Sequence, residues 1–195
     1  GANIGSYTVL ASKVVGAYSL SLEPVPTTFE RLTRNININA LNDLVKTRCC
    51  AVGKYSGSLR FSSDCDTMNH VVDDKYIGVS IEVPVEALDT ILETLKPTLI
   101  KIDVEGYEPE VIHGAISTLM CDSLLAILLE TVNPEIEIAL KNSGFKCANY
   151  DPFTRNLLLS NSNHLSSNYL WIKNHTEVLA RCKSAIKYQA LGIDF

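Results

Sequence analysis

Two acids one residue apart, Asp103 and Glu105, stand where the apolar run Leu99-Ile-Lys-Ile102 breaks off before Gly106. Carboxylates gathered at such a break can take a proton from a hydroxyl, hold a substrate hydroxyl, or bind a metal. The competing use is capping of the helix whose pattern starts near Glu108. Glu130 closes a second apolar run in the same manner and is a candidate either for the same cleft or for a plain surface role. A second set opens the chain. Gly1-Ala-Asn-Ile-Gly5 places two glycines around a small turn, where backbone can approach a ligand and a following helix offers free N–H groups. Eighteen residues past Gly5, Glu23 ends the next apolar stretch, where a carboxylate can accept both hydroxyls of a ribose. A dinucleotide turn would carry a third glycine. Ser6-Tyr7-Thr8 stands there instead, so a nucleoside lacking a pyrophosphate is the better match.

These residues need strands ending at one edge and helices leaving from it. Ser6 to Lys13 suits a first helix stopped at Gly16, and Ala17 to Leu22 a strand ending at Glu23-Pro24. Phe29, Leu32 and Ile36 recur at helical spacing, followed by a strand over Val45 to Val52 and a hairpin arm over Leu59 to Ser62. Residues 63–78, with Asp64, Asp66, Asp73 and Asp74, read as a polar surface loop. Ile81 to Val85 is extended, Ala87 to Leu95 helical, and 99–103 a buried strand. Val111, Ile112, Ala115, Ile116 and Leu119 mark one helix face. Strands at Leu124 to Glu130, Phe145 to Tyr150 and Tyr169 to Lys173 follow, with a helix at Glu135 to Asn142 and a loop holding Leu157 to Leu159. The pattern predicts a Rossmann-like, doubly wound, mostly parallel α/β sheet with an antiparallel hairpin at its C-terminal edge. One domain over residues 1–174 and an amphipathic helix over 175–195 account for the chain.

The 195 residues are 46% hydrophobic and 20% charged, enough for a substantial core. A net charge of −5 with no basic cluster argues against nucleic acid as a partner. No apolar run reaches the roughly 18 residues a membrane span needs. The six cysteines lack metal-ligand spacing and read as reduced core residues, which points to a cytoplasmic location and no structural metal. His113 reads as a helix packing or surface residue, Cys49 and Cys50 as ordinary thiols, and Trp171 as a core anchor. Oligomeric state leaves no mark. The chain opens on a turn with neither initiator Met nor leader, and the expectation is an N-terminal truncation.

Three segments together resemble the FkbM family of methyltransferases: GANIGSYT at the start, LEPVPTTFERLTRNININ from Leu22 to Asn39, and IKIDVEGYEPEVIHGA from Ile100 to Ala115. The spacer VPVEALDTIL, Val83 to Leu92 with Asp89, fits the same pattern. The resemblance implies a class I fold that uses S-adenosylmethionine to methylate a hydroxyl on a small molecule, sugar or lipid. Gly1, Ala2, Asn3 and Gly5 would lie under the methionine part of the cofactor, and Glu23 would hold the ribose. Pro24, Cys50, Ala51 and Val52 would flank the adenine. Asp103 would position cofactor or substrate, and Asp103 or Glu105 would receive the hydroxyl proton, with no metal required. The family's motif begins with a strand and an acid ahead of the first glycine, and the expectation is that this central strand is missing. Two readings compete: a non-catalytic Rossmann-like binding or scaffold domain, and a nucleotide-dependent oxidoreductase.

Overall fold

The computed structural model describes residues 1–63, 70–73, 75–160, 168–190 and 193–194, with 189–190 and 193–194 as backbone only. Two compact units divide the chain: Gly1–Ile91 with Asp103–Ala115, and Leu92–Ile102 with Ile116–Phe195. Asp64, Asp66, Asp74 and His164 lie outside the described residues.

In the first unit, hydroxyls four residues apart tie the first helix to the first strand. Helix α1 (Ser6–Val9) runs on into a π-helical turn, Leu10–Val14, and strand β1 is Ser19–Leu22. Thr8 Oγ1 lies 2.7 Å from Ser21 Oγ, and Ser12 Oγ 2.8 Å from Ser19 Oγ, so each buried hydroxyl has a partner. Helix α2 (Pro26–Ile38) starts on a proline, whose missing N–H costs nothing there. It buries Leu32 and Ile36 against Leu41 and Val45. Strand β2 (Val45–Arg48) pairs in parallel with β1, which has no other strand partner among the described residues.

The strand expected over Val45 to Val52 is two strands. The chain breaks at Cys49-Cys50, where Cys49 Sγ faces the Pro24 carbonyl at 3.7 Å, and β3 (Ala51–Gly53) joins a different sheet. There β5 (Ser80–Ala87) is central, parallel to β3 and antiparallel to β4 (Gly57–Ser62), the expected hairpin arm. Val25, Ala51, Phe61, Val83 and Val85 form that region's core. Helix α3 is short, Leu88–Ile91.

In the second unit, β6 (Leu99–Ile102) lies parallel to β7 (Ala126–Leu129). The sheet order is β6-β7-β10-β8-β9, with β8 Lys146–Asp151, β9 Asn156–Leu159 and β10 Tyr169–Ile172. The antiparallel C-terminal hairpin is present, with one strand more than expected. Leu157, read as loop, is buried on β9 beside Ala148 and Ile172. The helix expected from Glu108 through Leu119 is also divided. Helix α4 (Glu108–His113) belongs to the first unit and α5 (Ile116–Met120) to the second, with the break at Gly114-Ala115. Helix α6 (Pro134–Asn142) is capped by Asn133, whose side chain accepts the Ile136 N–H at 2.9 Å.

The amphipathic helix expected over 175–195 covers only its first part. Helix α7 ends at Ser184, and Ala185 has turned to ψ 147°. Arg155 donates to the carbonyls of Ala185 and Ile186, taking acceptors that further helical N–H groups would have used. Backbone strands β11 (Gln189–Ala190) and β12 (Ile193–Asp194) follow. No helix among the described residues is long and apolar enough to cross a membrane.

Candidate functional site

The opening turn closes on β1. Ala2 N–H donates to the Leu22 carbonyl and Gly5 N–H to the Ala2 carbonyl, each at 2.9 Å. A Cβ on Gly1 would stand 1.6 Å from the Asp103 carbonyl oxygen, so only glycine fits between the end of β1 and that backbone. Gly5, at φ +91°, lies against Leu32, whose Cδ1 would be 2.6 Å from an added Cβ. Between them Asn3 holds φ +50°, and its Oδ1 accepts the Ile4 N–H at 2.7 Å. Such a local side-chain bond is what lets Asn occupy the left-handed region. From α2, Asn35 Nδ2 donates to the Ile4 carbonyl at 2.7 Å and fixes the turn from outside.

Glu23 fastens the same turn from β1. It is 6% exposed; Oε2 accepts the Asn3 N–H at 2.8 Å and Oε1 the Val25 N–H at 3.1 Å. Each oxygen keeps a further lone pair for a donor in the cavity. The carboxylate thus shapes the glycine turn while still able to receive hydroxyls.

Past β6 the backbone turns sharply. Glu105 holds φ +51° and Gly106 φ +91°, so the period-two alternation that would have set the acids on one side stops at Ile102. Keeping Glu105 in that region costs roughly 1–2 kcal/mol. The residue at the N-cap of α4 is Tyr107, with no side-chain cap, so neither Asp103 nor Glu105 occupies the cap position. Glu130 follows β7 in the second unit.

A cavity of about 680 Å³, open mouth included, collects these groups within the first unit. Gly1, Asn3, Glu23 and Pro24 line it together with Asp103 and Glu105. Cys50, Ala51 and Val52 add the wall expected for a flat base. Ala2 and Gly5 shape the turn without lining the cavity. Burial pushes the Cys50 thiol up to about 11, with the Glu86 charge adding to it, so it is a neutral wall rather than a nucleophile. Cys49 is raised too, by burial and then by Glu23. Thr28, Phe61, Val71, Val104 and Tyr107 also line the cavity and were not expected. Phe61 comes from the expected hairpin arm, whereas Val71 lies in the 63–78 stretch read as a polar surface loop and is bridged to Phe61. Tyr107 sits two residues past Glu105, close enough in sequence that the turn alone could have nominated it.

Over residues 1–166 the chain matches the family described as the methyltransferase FkbM domain. It is similar to methyltransferase sdnD of Sordaria araneosa, 24% identical over 185 residues that cover 74% of this chain and 71% of that protein. It is also similar to hexuronic acid methyltransferase AglP of Haloferax volcanii, 30% identical over 121 residues, 61% of this chain and 49% of the relative. The solved structure of methyltransferase FkbM from Methylobacillus flagellatus KT aligns with a TM-score of 0.56 at 15% identity, covering 88% of this chain and 41% of that one. At that identity the structural likeness speaks for the fold alone. The chain therefore spans about half of AglP and less than half of the solved enzyme. With the family match running through residues 1–166, this protein belongs to the methyltransferase FkbM domain family.

Proposed function

We propose that the chain carries the cofactor and methyl-transfer site of an S-adenosylmethionine-dependent O-methyltransferase. The observation that carries this reading is the convergence of Glu23, the Gly1–Gly5 turn, Asp103 and Glu105 on one cavity. The residues present fit the cofactor. The space beside Asp103 that a Cβ on Gly1 would fill suits a close backbone contact, and Glu23 keeps acceptor capacity for a ribose diol.

Gly1 and Asn3 meet the methionine part, in a turn that Ala2 and Gly5 shape. Glu23 takes the ribose hydroxyls, and Pro24, Cys50, Ala51 and Val52 flank the adenine. S-adenosylmethionine, when bound, supplies an activated methyl group on its sulfonium. The protein then has to align an acceptor oxygen and remove its proton, and most of the acceleration comes from that positioning. Asp103, half-buried, orients cofactor or acceptor; Glu105, exposed at the turn, can receive the hydroxyl proton and pass it to water. Acceptor classes consistent with this site are hydroxyls of small molecules, sugars and lipids. The name of the AglP relative, a hexuronic acid methyltransferase, supports testing sugars first.

The test is titration with S-adenosylmethionine, then transfer of a labelled methyl group to a panel of hydroxyl acceptors led by uronic acid glycosides. Saturable binding with label in an acid-stable ether is the expected result. A folded protein that ignores S-adenosylmethionine and binds NAD instead would overturn the reading.

A further inference from the structure

Two chemistries share the cavity lining. Glu23, Asp103 and Glu105 are polar, whereas Ala51 and Phe61 belong to the apolar cluster that includes Val85, with Val71 packed against it. Tyr107 belongs by contact to the apolar set. A Cβ on Gly53 would meet Tyr107 Cε1 at 3.2 Å and Val85 Cγ2 at 3.0 Å, so ring and valine press on the same bare backbone. The Tyr107 backbone is fixed as well: its N–H donates to the Val104 carbonyl at 3.3 Å, and its carbonyl accepts the Val111 N–H at 3.2 Å. At the other end of α4, Gly114 approaches still closer, where a Cβ would lie 2.0 Å from the Gly53 carbonyl oxygen. Helix α4 is therefore seated on β3 before its first turn and after its last, and the ring is held where Val52 also lines the cavity. The phenol stays protonated, raised by burial and then by the Glu110 charge. No step of the methyl transfer described above uses it.

We propose that Tyr107 is a specificity residue for the purine of the cofactor, its ring locked against Gly53 as one wall of the base pocket and its hydroxyl meeting the base edge. The inference rests on the proposed methyltransferase reading and adds a residue to it. A heteroaromatic base needs flat apolar walls and a small number of edge hydrogen bonds, and Ala51, Val52, Phe61 and Val71 supply walls without any edge donor of their own side chains. Tyr107 brings both to that set. An acceptor sugar would instead be met by the acids, Asp103 and Glu105.

Calorimetric titration with S-adenosylhomocysteine and with adenosine alone, on the full chain, tests this. Tyr107→Leu keeps apolar bulk and is expected to weaken both ligands by roughly 3- to 10-fold, the range of an aromatic contact. Tyr107→Phe keeps the wall and is expected to retain most of that affinity while losing preference for S-adenosylhomocysteine over S-inosylhomocysteine, which differs only at the base edge. Unchanged adenosine affinity in Tyr107→Leu, with only the acceptor KM raised, overturns the inference. Should Tyr107→Leu fail to melt cooperatively, Tyr107→Phe decides, and a preserved adenine preference overturns it. Wild-type protein that binds neither nucleoside refutes the methyltransferase reading itself, before any variant is compared.

Discussion

Replacing Gly114 by alanine is a direct test of how α4 is seated. Gly114 has φ −83°, which alanine adopts freely, so any cost comes from packing and not from backbone strain. Its added Cβ would stand 2.0 Å from the Gly53 carbonyl oxygen and 3.0 Å from that carbonyl carbon, where ordinary contact begins at 3.4 Å. Backbone must therefore yield by about 1.4 Å, the difference between 3.4 and 2.0 Å, and both partners are held. Gly53 is paired with Ala87 in the parallel ladder, and the Gly114 carbonyl accepts the Asp89 N–H at 2.9 Å. Overpacking of this kind costs about 1–3 kcal/mol, offset by about 0.4–1 kcal/mol of lost unfolded-state entropy. A net loss near 1–2 kcal/mol lowers the melting midpoint by roughly 2–8 °C in a chain of this size. Gly144→Ala is the control: at φ +86° with nothing within 4 Å of an added Cβ, it costs conformational energy alone. Circular dichroism melts measure both variants, and S-adenosylhomocysteine titration separates them, since Gly114→Ala displaces Tyr107 and weakens binding whereas Gly144→Ala leaves it intact. A Gly114→Ala protein that melts at or above wild type would refute the contact on which the argument depends.

Glu23→Gln keeps the shape but replaces one acceptor oxygen by a donor facing the Asn3 or Val25 N–H. Hydrogen bonds to a charged group are worth about 1.5–3 kcal/mol, so cofactor affinity should fall roughly 10- to 100-fold, read by calorimetry. Glu105→Gln is expected to bind the cofactor normally while kcat falls about 10²- to 10⁴-fold, the range of a lost general base; unaltered kcat would move the proton to Asp103. Cys50, raised by burial to about 11 from an ordinary 9.0, keeps its proton in the folded state while the unfolded thiol loses it. Because the folded pKa is the higher one, that stability is present below pH 9 and lost as pH climbs toward 11, so Cys50→Ala should flatten the fall in melting midpoint over that window. Glu108 is 1% exposed and neither carboxylate oxygen has a hydrogen-bond partner among the described residues, so Glu108→Gln should raise the melting midpoint; a large drop would reveal a charged partner.

Most elements were readable because their signals are local. Gly16 and Gly144 sit at φ +75° and +86° where the sequence reading stops helices. What escaped depends on contacts distant in sequence. Nothing in Val45 to Val52 announces that Cys49-Cys50 will change sheets, because the cause is the pairing of Ala51 with Val85. The heptad-like apolar face from Val111 to Leu119 conceals the break at Gly114, whose carbonyl is claimed by Asp89 and whose Cα is claimed by Gly53. Strand β9 was hidden because Asn156 to Leu159 is short and flanked by polar residues, and only its ladder with Ala148 to Asp151 defines it. The end of α7 was set by Arg155, a residue twenty positions before the helix starts. In the site, the acids and glycines were legible by chemical type, while the apolar lining was invisible: Phe61 looks like any core residue, and Val71 lies in a stretch read as polar surface loop until its bridge to Phe61 brings it to the cavity.

Backbone strain is shared between the site and the scaffold. Four non-glycine residues hold positive φ among the described residues: Asn3, Ala40, Glu105 and Arg155. Two of them, Asn3 and Glu105, line the cavity, one from each segment that the resemblance assigns to cofactor and acceptor. Neither conformation is forced by a short connection alone. Asn3 is held by the Glu23 carboxylate on its N–H, and Glu105 by its place beside Gly106 in a turn that delivers Tyr107 to Gly53. Glycine would relieve roughly 1–2 kcal/mol of strain at Glu105, less at Asn3 with its local hydrogen bond, and widen the range of conformations open to the turn. Asn3→Gly and Glu105→Gly should therefore uncouple the two properties, holding or raising the melting midpoint while ligand affinity at the first and kcat at the second decline. If both variants lost stability instead, the left-handed residues would be supports of the fold, and the cavity would have no special claim on them.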